Sequence, residues 1–288
     1  MIVITSASGR YGRLVVESLL RRGVAGPQIV AAVRRPDAVA DLAAQGVEVR
    51  HADYDQAETL GAAFAGADKL LLIPSASIGR RFEQIERAVT AASEARVGVV
   101  AYAGFVNGDT STLRLGDEHK QAEALIRRSK LRYIFMRNAT YIETYAGDMR
   151  NIPAALAAGK IINAVGPGKM SGASRGDLAE AAAAALTTDT PGDKVYELGG
   201  APFTMADVAA AISRLTGKPL VYEDVPPAQY AASLVEMGLP PAMAEMAADA
   251  VQAEHWYTES TDLARLLGRP STPLEDVVAA TLTRHGIL

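Results

Sequence analysis

The chain has 288 residues, 49% of them hydrophobic and only 6% aromatic, enough apolar matter for a buried core made mainly of aliphatic and alanine side chains. Its net charge of -4 comes from both signs mixed along the sequence, so no basic stripe marks a nucleic-acid surface. Cysteine is absent, which excludes disulfides, thiolate nucleophiles and cysteine-ligated zinc, and no metal site is expected.

The first residues run straight into an apolar segment, without the basic region, apolar run and cleavage site of a signal peptide. No later apolar stretch reaches membrane-spanning length. A soluble, cytoplasmic protein without membrane partners is the expectation.

In chain order, apolar runs at 2–5, 29–33, 47–50, 69–73, 97–102 and 131–136 predict strands. Between them, Leu14, Val15, Leu19 and Leu20 give one helix an apolar face, and Leu60 and Phe64 mark a second. Phe82, Ile85, Val89 and Ala92 mark a third, and Ala122, Leu125 and Ile126 a fourth. Strands alternating with helices predict a parallel sheet covered on both faces. The fold class is therefore α/β, a Rossmann-like doubly wound parallel sheet.

The pattern changes after Tyr141. A helix is expected over 149–158, an extended run over 160–164, and a turn at Val165-Gly166-Pro167-Gly168. An alanine-rich helix over 177–186 could pack closely against the sheet, and 194–198 is another strand. Thr204, three residues before Asp207, signals a helix start; Val208, Ile212 and Leu215 continue it to about Gly217. Residues 220–223 are extended, and short helices, including 262–267 and 274–282, fill the remainder. The expected division is a sheet domain over 1–150, with segments from about 160 to 200 interleaved, and a smaller mixed α/β carboxyl-terminal lobe over 201–288 on the substrate side.

Chemistry concentrates first at Ser6-Ala7-Ser8-Gly9-Arg10-Tyr11-Gly12, between the first strand and the first helix. A small-residue turn feeding a helix N-terminus exposes backbone N–H groups that can hold phosphate. Gly9 and Gly12 keep the spacing that lets backbone approach phosphate and helix approach sheet. Ser6, Ser8 and the first helical N–H groups are candidate donors to a pyrophosphate, and Arg10 is a phosphate candidate or a surface residue. The second strand ends in Val33-Arg34-Arg35-Pro36, where a site preferring NAD would usually show an acidic side chain. Arg34 there points to a ribose 2′-phosphate, with Arg35 as a second positive group, and so to NADP(H) as cofactor. The competing explanation is a solvated pair capping a strand.

The run from Ile4 to Gly12 resembles the start of the NmrA-like, atypical short-chain dehydrogenase/reductase family. The same resemblance extends through Val33-Arg34-Arg35-Pro36, Val47-Glu48-Val49-Arg50-His51-Ala52-Asp53-Tyr54-Asp55 and Phe64-Ala65-Gly66-Ala67. Asp117-Glu118-His119-Lys120, Ala122-Glu123 and Tyr133-Ile134-Phe135-Met136-Arg137-Asn138-Ala139-Thr140-Tyr141 narrow it toward type 2 NAD(P)H:quinone oxidoreductases and triphenylmethane reductases. Lys194-Val195-Tyr196-Glu197-Leu198 and residues 263–268 carry it into the carboxyl-terminal half, so it spans almost the whole chain.

The resemblance implies a Rossmann-like domain binding NADPH and a quinone-like or aromatic small-molecule acceptor. Its phosphate-loop roles fall on Ser6, Ser8, Gly9, Arg10, Tyr11 and Gly12, and its 2′-phosphate contact on Arg34. Asp53 and Tyr54 match the region beside adenine, while Ile73, Pro74 and Ser75 match the strand-end loop along the cofactor. Most relatives have glycine where Ser6 stands; serine can replace it only if its backbone angles are ordinary and its side chain points away from the pyrophosphate, and weaker cofactor binding and an added donor are both open outcomes.

Direct hydride transfer to an acceptor needs the protein to hold donor and acceptor face to face and to stabilise charge on the acceptor oxygen. His119 is a candidate proton donor or orienting group, and Lys120 a candidate for the nicotinamide ribose; a structural or solvated role is the alternative for each. Arg137, Asn138 and Tyr141 are expected after the sixth strand, near the carboxyl-end crevice. Asn138 could orient carboxamide or backbone groups and Tyr141 could line a substrate wall, against loop hydrogen bonding and lobe packing as alternatives. Tyr102 and Phe105, expected just after the fifth strand, could stack near a ring or belong to the core. Trp256, the only tryptophan, could shape the substrate entrance or an oligomer interface or simply pack.

The tyrosine that short-chain dehydrogenases place four residues before lysine is missing, because Gly116 stands there. That argues against alcohol oxidation, where alkoxide formation needs a base, and against an isomerase or epimerase. The expected function is an NADPH-dependent quinone oxidoreductase; the alternative is a non-catalytic NADP(H)-binding redox sensor of the NmrA-like type. A homodimer and a monomer are both compatible with the sequence.

Overall fold

Strand β1 (Ile2–Thr5), carrying Val3 and Ile4 fully buried, lies inside the sheet with a parallel partner on each side. A computed structural model describes residues 1–77, 79–148, 151–189 and 192–288. From β1 the chain passes through α1 (Arg10–Arg21), β2 (Ile29–Val33), the short α2 (Ala40–Ala43), β3 (Glu48–His51) and α3 (Ala57–Phe64). It continues through β4 (Lys69–Leu72), α4 (Arg81–Glu94), β5 (Val99–Phe105), α5 (Asp117–Arg128) and β6 (Arg132–Asn138).

The second half contributes α6 (Ile152–Ala158), β7 (Lys160–Asn163), α7 (Arg175–Thr187), β8 (Lys194–Leu198), α8 (Met205–Thr216) and β9 (Val221–Asp224). It ends in α9 (Pro227–Glu236), α10 (Pro241–Ala250), α11 (Asp262–Leu267) and α12 (Leu274–Arg284). The helix expected from Met149 begins at Ile152; Met149 itself lies outside the described residues.

The large sheet has the order β3-β2-β1-β4-β5-β6-β8. Pairing is parallel for β1 with β2 and β4, β2 with β3, β4 with β5, and β5 with β6. The chain builds outward from β1 in one direction, then returns to β4 and builds in the other. In a doubly wound sheet this reversal opens a crevice at the carboxyl ends of the two central strands. All five residues of β2 are buried, as a strand covered on both faces requires.

Contacts divide the chain into two compact units, each discontinuous in sequence. The first comprises Met1–Gly108, Asp117–Asn138 and Arg175–Tyr196; the second comprises Asp109–Gly116, Ala139–Ser174 and Glu197–Leu288. In the first, a core on one side of the sheet joins Val3, Val30, Leu70, Leu72 and Val100 to Leu60 and Phe64 of α3, Ile85 and Val89 of α4, and Ile126 of α5. α7 packs against α1, with Ala179 and the run Ala181, Ala182, Ala183, Ala184, Ala185 buried, and methyl side chains let the two helices approach closely.

In the second unit, β7 and β9 form a two-stranded parallel sheet, with Lys160 opposite Val221. Its core gathers Ile142, Ile161, Met170, Phe203, Val208, Ile212, Val278 and Leu282. The expected helix start at Thr204 is a full capping box: its Oγ1 accepts from the Asp207 N–H at 3.2 Å, and the Asp207 carboxylate accepts from the Thr204 N–H at 2.8 Å. Gly217, with φ 67°, ends that helix in the left-handed conformation. Among the described residues, no helix is long and apolar enough to cross a membrane.

Candidate cofactor site and active site

The crevice is knitted by Thr5, the last residue of β1. Its Oγ1 donates to the Leu71 carbonyl and accepts from the Ile73 N–H, each at 2.8 Å, and from the buried phenol of Tyr54 at 2.7 Å. The Tyr54 Oη also lies 3.0 Å from the Ile73 carbonyl. Burial raises the Tyr54 pKa, so the phenol remains a donor. Tyr54 thus braces the carboxyl ends of β1 and β4 from below, while Asp53 holds its own turn by accepting from the Asp55 N–H at 3.0 Å.

Ser6 meets one of the two conditions set by the sequence and not the other. Its φ is +51°, in the left-handed region that favours glycine, so its backbone angles are not ordinary. The side chain does turn aside: Oγ donates to the Ile73 carbonyl at 3.2 Å. The Ser6 carbonyl in turn accepts from the Gly9 N–H at 2.8 Å, closing the turn.

That closure explains the glycines. A Cβ on Gly12 would meet the Ser6 carbonyl oxygen at 2.5 Å, and one on Gly9 would meet it at 3.2 Å. Gly9 is the N-cap of α1, which has neither a side-chain cap nor an acidic residue in its first turn. The helix N-terminus therefore presents backbone donors and the positive end of its dipole to an anion. Ser8 and Arg10 are exposed beside it; Tyr11 is buried, its Oη 3.5 Å from the Leu178 carbonyl of α7.

Arg34 and Arg35 follow β2 and are exposed. Arg34 pairs with no carboxylate among the described residues, unlike Arg13 of α1, which pairs with Asp41. Ile73, Pro74 and Ser75 lead from β4, half-buried. Ser75 is tied down by its Oγ donating to Gln84 Oε1 at 2.5 Å, and its carbonyl accepts from Arg81 Nε at 2.7 Å.

Several strand ends differ from the sequence expectation. Tyr102 and Phe105 lie within β5, not after it, and Arg137 and Asn138 are the last residues of β6. Parallel pairing extends β5 and β6 to the register Phe105 opposite Asn138, beyond where the apolar pattern ends. Arg137 is buried and makes a two-point pair with the buried Glu123, Nε to Oε1 at 3.0 Å and Nη2 to Oε2 at 2.6 Å. It is a structural pair joining β6 to α5. Asn138, also buried, has an Oδ1 with no hydrogen-bond partner among the described residues. A buried amide acceptor left unpaired is costly, about 1–3 kcal/mol.

His119, in the first turn of α5, is half-buried, with Nδ1 2.9 Å from the Tyr102 hydroxyl and its ring 5.6 Å from that of Phe105. Burial, helped by the nearby Arg81 cation, lowers its pKa to about 4, so the imidazole is neutral at physiological pH. Lys120 is half-buried and pairs with Asp117 at 3.5 Å. The His119 ring lies against Phe105, whose backbone stands opposite Asn138 in the register of β5 and β6. Tyr141 belongs to the second unit, in an isolated parallel bridge with Ala173. Trp256 packs on that unit's core and donates Nε1–H to the Ala250 carbonyl at 2.7 Å.

The Thr5 hub, the Tyr102 partner of His119 and the carboxylate of Glu118 that caps α4 have no motif signature; only the three-dimensional register assembles them. Among the described residues, no cluster of three or more histidine, aspartate or glutamate side chains could hold a metal ion.

A 3-2-1-4-5-6 parallel core with an uncapped helix N-terminus at its switch point defines a Rossmann-like α/β protein of the dinucleotide-binding kind. The chain belongs to the NmrA-like family, whose model matches residues 1–279. It is 39% identical over 283 residues to quinone oxidoreductase 2 of Escherichia coli K12, covering 97% of this chain and 98% of that protein. The crystal structure of the NADPH-dependent quinone oxidoreductase from Escherichia coli complexed with NADPH superposes with a TM-score of 0.91, over 97% of this chain and 99% of that one. The triphenylmethane reductase of a Citrobacter species complexed with NADP(H), 35% identical, superposes with a TM-score of 0.89 over 98% of this chain and 100% of that one.

Proposed function

We propose that this chain is an NADPH-dependent oxidoreductase that reduces a quinone or similar conjugated acceptor by direct hydride transfer. The observation that carries this reading is Arg34, without a carboxylate partner among the described residues, just past β2, the strand paired with the β1 that leads into the uncapped N-terminus of α1. The 39% identity to a quinone oxidoreductase over nearly the whole chain, and the likeness to a structure holding NADPH, support it.

The residues fit the cofactor on three counts. Gly9 and Gly12 let the turn close against the α1 N-terminus where a Cβ would meet the Ser6 carbonyl, Arg34 is a cation without a protein partner among the described residues, and the buried Asn138 Oδ1 has no partner among them either. When bound, NADPH supplies the hydride.

The α1 N-terminus, with Ser6, Ser8, Arg10 and Tyr11 around it, holds the pyrophosphate, and Arg34 selects the 2′-phosphate with Arg35 as a second positive group. Asp53 and Tyr54 shape the adenine side, and Ile73, Pro74 and Ser75 the wall along the cofactor. Asn138 would orient the carboxamide or the backbone around it, and Lys120 would help hold the nicotinamide ribose. His119 offers a neutral N–H to the acceptor oxygen as charge develops on it, and Tyr141 lines the acceptor side.

Gly116 stands where a dehydrogenase tyrosine would be, which suits an acceptor that is already electrophilic and whose product oxygen takes its proton from solvent. The same absence also suits a cofactor sensor without turnover. NADPH consumption across a panel of quinones separates the two: turnover is expected, and tight NADPH binding with no turnover for any acceptor would overturn the reductase reading.

A further inference from the structure

His119 and Tyr102 come from different elements, α5 and β5, and meet at 2.9 Å through Nδ1 and the phenolic oxygen. Either group could in principle be the donor. Tyr102 is 1% exposed, and its hydroxyl has no other hydrogen-bond partner among the described residues. If the imidazole donated from Nδ1, the phenolic proton would be buried with no acceptor, at the cost of an unmade hydrogen bond. If the phenol donates, its proton and the Nδ1 lone pair are both satisfied. Burial, and the Glu123 carboxylate nearby, raise the Tyr102 pKa, so the phenol keeps the proton it must donate. A neutral imidazole has one N–H, and with Nδ1 accepting it must be on Nε2.

The segment that carries the ring is fixed from a second side. Glu118 accepts from the N–H groups of Gly79 at 3.1 Å, Arg81 at 3.0 Å and Phe82 at 3.4 Å, capping the N-terminus of α4. Adjacent residues of α5 are thus anchored to two neighbours, Glu118 to α4 and His119 to β5. A ring held on one nitrogen by a buried phenol, against Phe105, has little freedom left.

We propose that Tyr102 is a positioning residue: its hydroxyl holds His119 as the Nε2–H tautomer and aims that N–H at the acceptor oxygen. The inference rests on the reductase reading for its consequence, though not for the tautomer itself. In the reaction, a hydride and its electron pair pass from NADPH to the quinone, leaving NADP⁺ and a hydroquinone anion. The charge on that anion's oxygen is stabilised by the Nε2–H donor, and solvent then supplies the proton that completes the hydroquinone. His119 stays neutral throughout, and Tyr102 never loses its proton. The balance is NADPH, quinone and one proton giving NADP⁺ and hydroquinone.

The test is spectroscopic and kinetic. In isotope-labelled full-length protein at neutral pH, proton–nitrogen correlations of the four imidazoles are recorded, with His119 assigned by its disappearance in His119→Leu. A hydrogen-bonded, unprotonated Nδ1 and a protonated Nε2 are expected, and Tyr102→Phe should remove the Nδ1 hydrogen-bond shift. Finding the Nδ1–H form, or no change in Tyr102→Phe, overturns the proposal.

Kinetically, Tyr102→Phe should lower kcat with a quinone about tenfold, less than the roughly 10²–10³-fold lost when a charge-stabilising donor is removed outright, while the NADPH Kd is unchanged. In the double variant the loss should not exceed that of His119→Leu, because both act through one ring. Additive losses overturn the shared role. If the wild type turns over no acceptor, the reductase reading fails while the tautomer result stands by itself.

Discussion

Ser6 and Ile73 join the two central strands of the sheet: the serine hydroxyl donates across the switch point to the Ile73 carbonyl at 3.2 Å. It does so from a left-handed backbone, φ +51°, which costs a non-glycine residue about 1–2 kcal/mol. Two variants separate the terms. Ser6→Ala keeps the backbone cost and loses the hydrogen bond, and should destabilise by about 1 kcal/mol. Ser6→Gly loses the same bond but relieves the backbone, and should lie within about 1 kcal/mol of wild type. Thermal unfolding in which glycine is less stable than alanine at this position would contradict the assignment of strain to Ser6.

Gly12 has no room to grow. A Cβ would meet the Ser6 carbonyl oxygen at 2.5 Å and the Ala7 Cα at 3.0 Å, both backbone atoms that cannot rotate away. Gly12→Ala should therefore push α1 from the turn, destabilising by about 1–3 kcal/mol and weakening NADPH binding. Gly9→Ala, at 3.2 Å from one atom, should cost less in stability. Equal, small effects of the two substitutions in denaturant titrations would show that the turn is not closed as described.

Arg34→Ala should weaken NADPH far more than NADH. Losing charge-assisted hydrogen bonds to a phosphate is worth about 1.5–3 kcal/mol, or roughly 10- to 100-fold in Kd. Fluorescence titration of both cofactors gives the two ratios; comparable losses for both would remove Arg34 from 2′-phosphate recognition.

His119 has a pH signature of its own. Its pKa is lowered from 6.5 to about 4 in the folded chain, so the unfolded chain binds more protons in that interval. Its contribution to stability is fully present above pH 6.5 and is lost as pH falls from 6.5 toward 4. The groups facing the ring, Tyr102 and the Arg81 cation, both oppose a second positive charge or leave it unsolvated. His119→Gln should flatten the decline of the unfolding midpoint over that range. An unchanged slope would mean the imidazole titrates alike in both states.

Much of the sheet was legible because buried parallel strands leave short apolar runs between helical periods. Residues 2–5, 29–33 and 194–198 match the observed strands end to end. β5 and β6 run further than their apolar runs, since Gly104, Arg137 and Asn138 stay in the ladder through strand pairing that local sequence does not encode. The phosphate turn was visible from glycine spacing, but the left-handed Ser6 was not, because serine carries no signal for positive φ. Arg137 looked like a crevice residue by position and is a buried partner of Glu123, a pairing set by the packing of α5 on β6. The helices α9 and α10 announce themselves only by Pro226-Pro227 and Pro240-Pro241, prolines suited to a helix start.

The central claim is that the chain moves hydride from NADPH to a quinone, and a single-turnover experiment tests it most directly. Protein pre-mixed with one equivalent of NADPH is mixed rapidly with a quinone without oxygen, and the reduced-nicotinamide absorbance is followed alongside hydroquinone formation. The account predicts that the absorbance disappears in step with one equivalent of hydroquinone. NADPH that stays bound and reduced against every quinone offered would contradict it.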